Sequence, residues 1–202
     1  MPEIDLNFLF ALITFYFVMY VTPGPNNSMI LASGLRFGFI KSIPHMLGIT
    51  IGHICQLIIV CLGFGKVFQL YPELQTILKI ICVLYLIYLS YQIIGSFEKI
   101  TSNDGRPLSF SEAAFFQLIN PKAWTICSLV ASGFLKANIS LLASILLIAA
   151  IALIICPLSI APWAAFGSII RKKVKNKKIK ILVEYLLAIL LFTTSILVLF
   201  GL

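Results

Sequence analysis

Long apolar runs alternate with short polar ones along the whole chain. Six apolar segments run 6–35, 40–64, 73–94, 112–135, 139–169 and 181–202. Polar or turn-rich pieces stand at 65–72, 95–111 and 171–180. A membrane-spanning helix needs about 20 mostly apolar residues, so the pattern predicts an all-α membrane protein with six transmembrane helices. The first segment is too long for one straight span. As a helix it would reach about 45 Å, against a hydrocarbon core of about 30 Å. In its middle stands Thr22-Pro23-Gly24-Pro25-Asn26-Asn27. Pro23 and Pro25 lack amide donors and clash with the preceding turn, and Pro23 pushes Thr22 toward an extended conformation. A helix, a break and a short second helix over 28–35 are expected. The fourth segment carries a similar device, Asn120-Pro121-Lys122.

Six segments divide as three plus three, and an odd number per half inserts the halves with opposite orientation. The expected architecture is one transmembrane domain, 1–202, built as a 3+3 inverted repeat. Its half-repeats are 1–95 and 112–202, with a cytoplasmic linker at 96–111. Helices one and four are interrupted by proline near the midplane. Paired Pro/Gly-interrupted segments in corresponding positions point to a transporter binding site. The competing reading of each break is a proline kink between packed helices.

Composition strengthens the membrane reading. Hydrophobic residues make up 60% of the chain and charged residues 11%, where soluble domains average about 25% charged. The net charge of +8 could suggest nucleic acid, but seven of the fifteen basic residues lie in the single run 171–180. Such a run is the usual mark of a cytoplasmic loop. Loops one, three and five hold eleven Lys and Arg, against Lys66 and Lys136 on the other side. This bias places the basic loops in the cytoplasm and both termini outside. Glu3 and Asp5 precede the first segment where a signal peptide would be basic, so that segment is expected to be retained. The five cysteines sit singly in apolar sequence and read as small buried hydrophobes.

Candidate chemistry gathers around the breaks. Lys122 and Asn120 lie about 15 Å from the near interface, and an ammonium at that depth costs about 2.5–3.5 kcal/mol on insertion scales. Pro23, Gly24, Pro25, Asn26, Gln56, Tyr85, Asn120, Pro121 and Lys122 are the expected substrate-binding residues. Short helix N-termini and the Lys122 ammonium suit a solute carboxylate, and freed carbonyls or amide oxygens suit an amino group. The chain's acids fall in loops or near segment ends, so a neutral amino acid is favoured over a strongly cationic one. His53, near the midplane, and Lys122 are the proton-coupling candidates; a neutral imidazole bonded to a carbonyl is the alternative for His53. Gly48 and Gly52 form a G-x-x-x-G spacing for helix packing. Glu184, one turn past the basic loop, reads as an interfacial partner for a lysine. No H-x-x-x-H, paired aspartates or serine elbow is present, so the chain is not expected to be an enzyme. No cofactor, metal or nucleic acid is expected. His45, His53 and Cys55 are the only local metal candidates. A metal or small-ion exporter and a non-transporting structural membrane protein are the alternatives.

Four motifs together give the chain a resemblance. They are Thr22-Pro-Gly-Pro-Asn26; Gly34-Leu-Arg-Phe-Gly38 with Gly48-Ile-x-x-Gly52; Leu78-Lys-Ile with Tyr85-Leu-Ile-Tyr-Leu; and Ile119-Asn-Pro-Lys-Ala123. In that order the chain resembles the LysE/RhtB family of amino-acid efflux proteins. The resemblance implies a six-helix protein of the bacterial cytoplasmic membrane, often a homodimer, that exports amino acids or close relatives in exchange for protons. It carries Pro23, Gly24, Pro25, Asn26, Asn120, Pro121, Lys122 and Ala123 as motif residues. His53 stands where an acidic residue is common in that family.

Overall fold

The computed structural model describes residues 6–64, 70–94, 105–135, 139–173 and 176–200. Expectations about the start of the chain, Lys66, Lys136, Lys99 and the linker over 96–104 lie outside the described residues. The described residues form eight α-helices: α1 (Leu6–Val21), α2 (Pro25–Phe37), α3 (Phe39–Ile59), α4 (Pro72–Ile93), α5 (Phe110–Phe116), α6 (Pro121–Gly133), α7 (Leu141–Lys173) and α8 (Lys177–Phe200). A π-helical turn, Val60–Phe64, continues α3.

Among the described residues three stretches are long and apolar enough to cross a membrane: Phe39–Gly63, Leu141–Lys173 and Ile181–Phe200. α1 and α2 together make a fourth, bent by 58° at the break. The expected segments 73–94 and 112–135 are not among these. Over 73–94 the chain forms α4, a helix of 22 residues. The segment 112–135 divides into a 7-residue and a 13-residue helix. Pro121 is the reason, because it has no amide to continue the ladder from α5 and is instead suited to the first turn of a new helix.

Local chemistry sets the helix ends. Pro25 takes the first position of α2, with Gly24 before it in extended backbone. α2 stops at Gly38, whose φ of 89° favours glycine and lets α3 start at the next residue. α5 opens on a capping box. The Ser109 hydroxyl accepts from the Glu112 amide, and the Glu112 carboxylate accepts from the Ser109 amide at 2.8 Å.

The helices pack as two buried clusters. One joins residues of α1, α3, α6 and α7 around Tyr16, Ile49, Ile126 and Ile148. The other joins α2, α4, α5 and α8 around Leu35, Leu86, Phe116 and Leu191. Between apolar helices in lipid, close contact depends on small residues. A Cβ on Gly34 would lie 2.2 Å from the Ala164 carbonyl oxygen, and one on Gly167 would lie 2.3 Å from that of Leu31. α2 therefore crosses α7 backbone to backbone. Gly48 and Gly52 do the same for α3 against α5, facing the Phe110 carbonyl and the Ala114 backbone. The outward faces are strongly apolar, with Phe10 73% and Leu146 57% exposed. A continuous surface of this kind needs lipid or protein against it.

Candidate functional site

α1 ends where two prolines withdraw their amides, so its last carbonyls need partners from elsewhere. Broken backbone at membrane depth is tolerated only where protein or a watery cavity covers it. Here side chains answer the carbonyls one by one. Met19 O accepts from the Thr22 hydroxyl at 3.1 Å and Tyr20 O from Asn27 Nδ2 at 2.8 Å. Val21 O accepts from the Trp163 indole at 3.2 Å. Thr22 O takes two donors, Asn27 Nδ2 and Lys122 Nζ, both at 2.7 Å. Lys122 Nζ also donates to Thr22 Oγ1 at 2.8 Å and to Pro23 O at 3.3 Å. Gly24 O returns to regular geometry by accepting from the Ser28 amide at 3.0 Å.

The second break is closed in the same way. After α5 the chain makes tight turns, with the Gln117, Leu118 and Ile119 amides each donating three residues back. Leu118 O accepts from the Trp124 indole at 2.8 Å, and Gln117 O from Gln56 Nε2 at 3.1 Å. Asn120 caps α6 by accepting from the Lys122 amide at 3.1 Å. That bond uses an amide the sequence had left open for a solute carboxylate.

The two breaks meet. Lys122 reaches Thr22 across 100 positions of sequence. Asn26 and Gln117 form a reciprocal amide pair, with bonds of 2.9 and 3.1 Å. The space beside Gly24 is filled by Lys122: a Cβ there would lie 2.8 Å from the lysine Cδ. A helix C-terminus concentrates negative partial charge, so the ammonium sits at the end of α1 where electrostatics favours it.

Two spaces flank this junction. A cavity of 370 Å³ opens between the start of α6 and the C-terminal part of α8, lined by Thr22, Pro23, Pro25, Pro121, Lys122 and Thr125 among others. Behind it lies a space of 20 Å³ lined by Tyr20, Gly24, Asn27, His53, Asn120 and Lys122 among others, room for about one water. Gly24 and Lys122 line both spaces and separate them.

His53 is 2% exposed and packs edge-on against Tyr20 at 5.3 Å between ring centroids. Its Nδ1 lies 3.9 Å from Cys127 Sγ, and its Nε2 has no partner. Tyr85 is not brought to the junction; it packs against Phe116 in the second cluster at 5.4 Å. Glu184 is 4% exposed within α8. Among the described residues no three His, Cys, Asp or Glu side chains converge on one point. Sequence reasoning missed Asn27, Trp163 and Trp124. The signal was available in part, since Trp163 follows Pro162 within an apolar run and is one of only two tryptophans.

At the other end of α2 the α5 cap is reinforced by charge. Arg106 binds Glu112 through two nitrogens, one of them at 2.7 Å from Oε1. The guanidinium, followed by the amide and hydroxyl of Ser109, holds the Glu112 carboxyl down to about 2. The same bond raises the Arg106 guanidinium further above its ordinary value.

The family described as LysE type translocator matches residues 17–201. Two curated relatives are cysteine/O-acetylserine efflux proteins. That of Escherichia coli strain K12 is 27% identical over 115 residues, covering 56% of this chain and 58% of the relative. That of Klebsiella pneumoniae subsp. pneumoniae is 26% identical over 112 residues, covering 55% and 57%. The chain thus spans a little over half the length of these relatives, 57–58%. No solved structure matches.

Proposed function

Because the chain belongs to the LysE type translocator family, we propose that it exports small neutral amino acids or close relatives, of the size of cysteine or O-acetylserine, through the junction of its two helix breaks. The membrane is the bacterial cytoplasmic membrane. Six crossings result if α1 with α2, and α5 with α6, each count as one interrupted span. The halves then form an inverted 3+3 repeat with both termini outside, and the working unit is a homodimer. The observation that carries the reading is the Lys122 ammonium, bound to Thr22 and Pro23 of the opposite break beside a 370 Å³ cavity.

Lys122 supplies a cation for the solute carboxylate, with Pro121 and Asn120 fixing its place at the start of α6. The carbonyls of Thr22 and Pro23 already hold an ammonium, that of Lys122. A solute amino group is chemically the same donor and competes for these acceptors. Asn26 and Gln117 satisfy each other, so a polar solute exchanges partners with them without leaving either bare. No acid of the described residues lines the junction, which favours a solute without a second positive charge. Export exchanges the solute for protons. His53, with a free Nε2 at the inner space, and Lys122 carry them.

Uptake of radiolabelled O-acetyl-L-serine, L-cysteine and L-threonine into inverted vesicles tests the reading. A proton gradient is expected to drive uptake of at least one, and collapse of that gradient to abolish it. Proton-dependent uptake undiminished by His53→Ala removes His53 from the mechanism. No uptake of any amino acid, together with no change in the tolerance of cells to amino acids and analogues, would end the export reading.

A further inference from the structure

On the inner side of the junction three buried atoms have no hydrogen-bond partner among the described residues: Tyr16 Oη, Tyr20 Oη and His53 Nε2. Their side chains adjoin one another. The Tyr16 and Tyr20 rings, one turn apart on α1, stack at 5.2 Å between centroids, and Tyr20 meets the His53 ring edge-on at 5.3 Å. Ring packing accounts for the aromatic faces but not for the polar atoms. A buried tyrosine hydroxyl or imidazole nitrogen is almost always bonded to protein or to ordered water. Three such atoms in succession make one common demand for a partner.

The wall says what chemistry can meet that demand. Tyr20, His53, Asn120 and Lys122 line the inner space, and Ile49, Ile126 and Ile160 complete it without offering an acceptor. The titratable groups around the imidazole are Tyr20 of α1, Lys122 and Cys127 of α6 and Cys156 of α7. No acid of the described residues lines the space. The Lys122 ammonium is engaged by Thr22 and Pro23. Neither sign of charge therefore finds a counter-charge there, and a neutral molecule fits. His53 Nδ1 faces Cys127 Sγ at 3.9 Å, a weak partner that leaves the tautomer open. Nε2 is then a donor in one neutral form and an acceptor in the other. Water serves either form, and it is held where several polar groups converge within an apolar wall.

We infer that the inner space is a water site, in which the Tyr20 hydroxyl positions a water molecule between His53 Nε2 and Lys122. Its role rests on the export reading: the water is the route by which a proton held at His53 reaches the junction. When Lys122 is a neutral amine, an imidazolium at His53 gives its Nε2 proton to the water as the water gives one of its own to Nζ. The imidazole ends neutral, the lysine ends as the ammonium that a solute carboxylate needs, and the water is unchanged. Tyr20 takes no proton in this step. It is a positioning residue, fixing the water through one hydrogen bond. The bare Tyr16 hydroxyl carries the same polar run one turn further toward the start of α1.

The chain has two histidines, so water-selected ¹⁵N spectra of histidine-labelled protein in nanodiscs report on each imidazole, with His53→Gln assigning the signals. The unsubstituted protein, without any amino acid present, is expected to show magnetisation passing from bound water to His53 Nε2, and Tyr20→Phe to weaken that transfer. In liposomes Tyr20→Phe is expected to slow proton-driven uptake of O-acetyl-L-serine about 10-fold. Counterflow of the same solute, which exchanges solute for solute and needs no proton, should stay within twofold of the parent. Loss of packing alone would lower both equally. No water contact at His53 in the unsubstituted protein, or one that appears only with O-acetyl-L-serine present, overturns the water site however the variant folds. Proton-driven uptake undiminished in Tyr20→Phe, or an equal loss of uptake and counterflow, overturns the positioning role. Absence of transport of any amino acid by the unsubstituted protein ends the export reading instead, and a water contact at His53 would then leave the site without its proton route.

Discussion

Replacing Lys122 with methionine keeps the length and the apolar stem of the side chain and removes only the ammonium. Its effect on stability follows from what each acceptor has left. Thr22 O keeps Asn27 Nδ2 at 2.7 Å. The Thr22 hydroxyl still donates to Met19 O at 3.1 Å. Pro23 O loses its bond, but at an exposed position beside the 370 Å³ cavity. The loss therefore amounts to about one hydrogen bond to a charged group, roughly 1.5–3 kcal/mol. Against it stands relief of an ammonium held at depth, about 2.5–3.5 kcal/mol. The two nearly cancel, and Lys122→Met should unfold within about 2 kcal/mol of the parent. Transport has no such compensation. On the export reading, loss of the Lys122 cation that faces the solute carboxylate removes roughly 1.5–3 kcal/mol of binding, a fall of about 10- to 100-fold. The assay is initial-rate counterflow of O-acetyl-L-serine in liposomes, with thermal unfolding of the same protein in detergent. A Lys122→Met protein that is as stable as the parent and transports within twofold of it would refute a role for the ammonium in solute binding. One that fails to fold would refute the near-cancellation.

Other consequences are more local. Gly24→Ala places a Cβ 2.8 Å from Lys122 Cδ; the flexible lysine yields, so counterflow should fall while the unfolding temperature barely moves. Gly34→Ala meets backbone at 2.2 Å from Ala164 O and should destabilise the protein by about 1–3 kcal/mol, read by thermal unfolding. Trp163→Phe leaves Val21 O without its indole donor, at about 1–3 kcal/mol for a bared group, and denaturant titration reads it. Glu112 has a folded value below its ordinary one, so the α5 cap contributes fully above the usual carboxylate range and is lost as pH falls through about 2. Arg106→Gln should bring that loss to higher pH, seen by ¹³C titration of the Glu112 carboxyl.

The location of the breaks was legible because proline acts through its own backbone and its immediate neighbours. Pro23, Pro25 and Pro121 each withdraw a donor wherever the chain goes, and the helices end accordingly at Val21 and begin again at Pro25 and Pro121. What repairs the breaks was much less legible. The donor to Val21 O and one of the two donors to Thr22 O are Trp163 and Lys122, separated from them by 142 and 100 residues, and no local rule connects such positions. Tyr85 shows the same dependence on distant contacts. Its depth and aromatic character suited a site, but the face of α4 on which it lies turns toward Phe116. Period and composition give the depth of a residue in the bilayer; the rotation of its helix depends on tertiary contacts such as Gly34 on Ala164.

The bonds that join the two breaks have a consequence for movement. Lys122 and Gln117 hold Thr22, Pro23 and Asn26 across the two breaks. Parting the breaks here would bare polar groups on both sides, and away from water each unmet group costs several kcal/mol. On the export reading, a polar zwitterion entering between the breaks would meet both sets at once, its ammonium replacing that of Lys122 and its carboxylate engaging the displaced lysine. The bonds that hold the junction together would then make an amino acid the kind of molecule able to open it, whereas an apolar solute of equal size would leave every freed carbonyl bare.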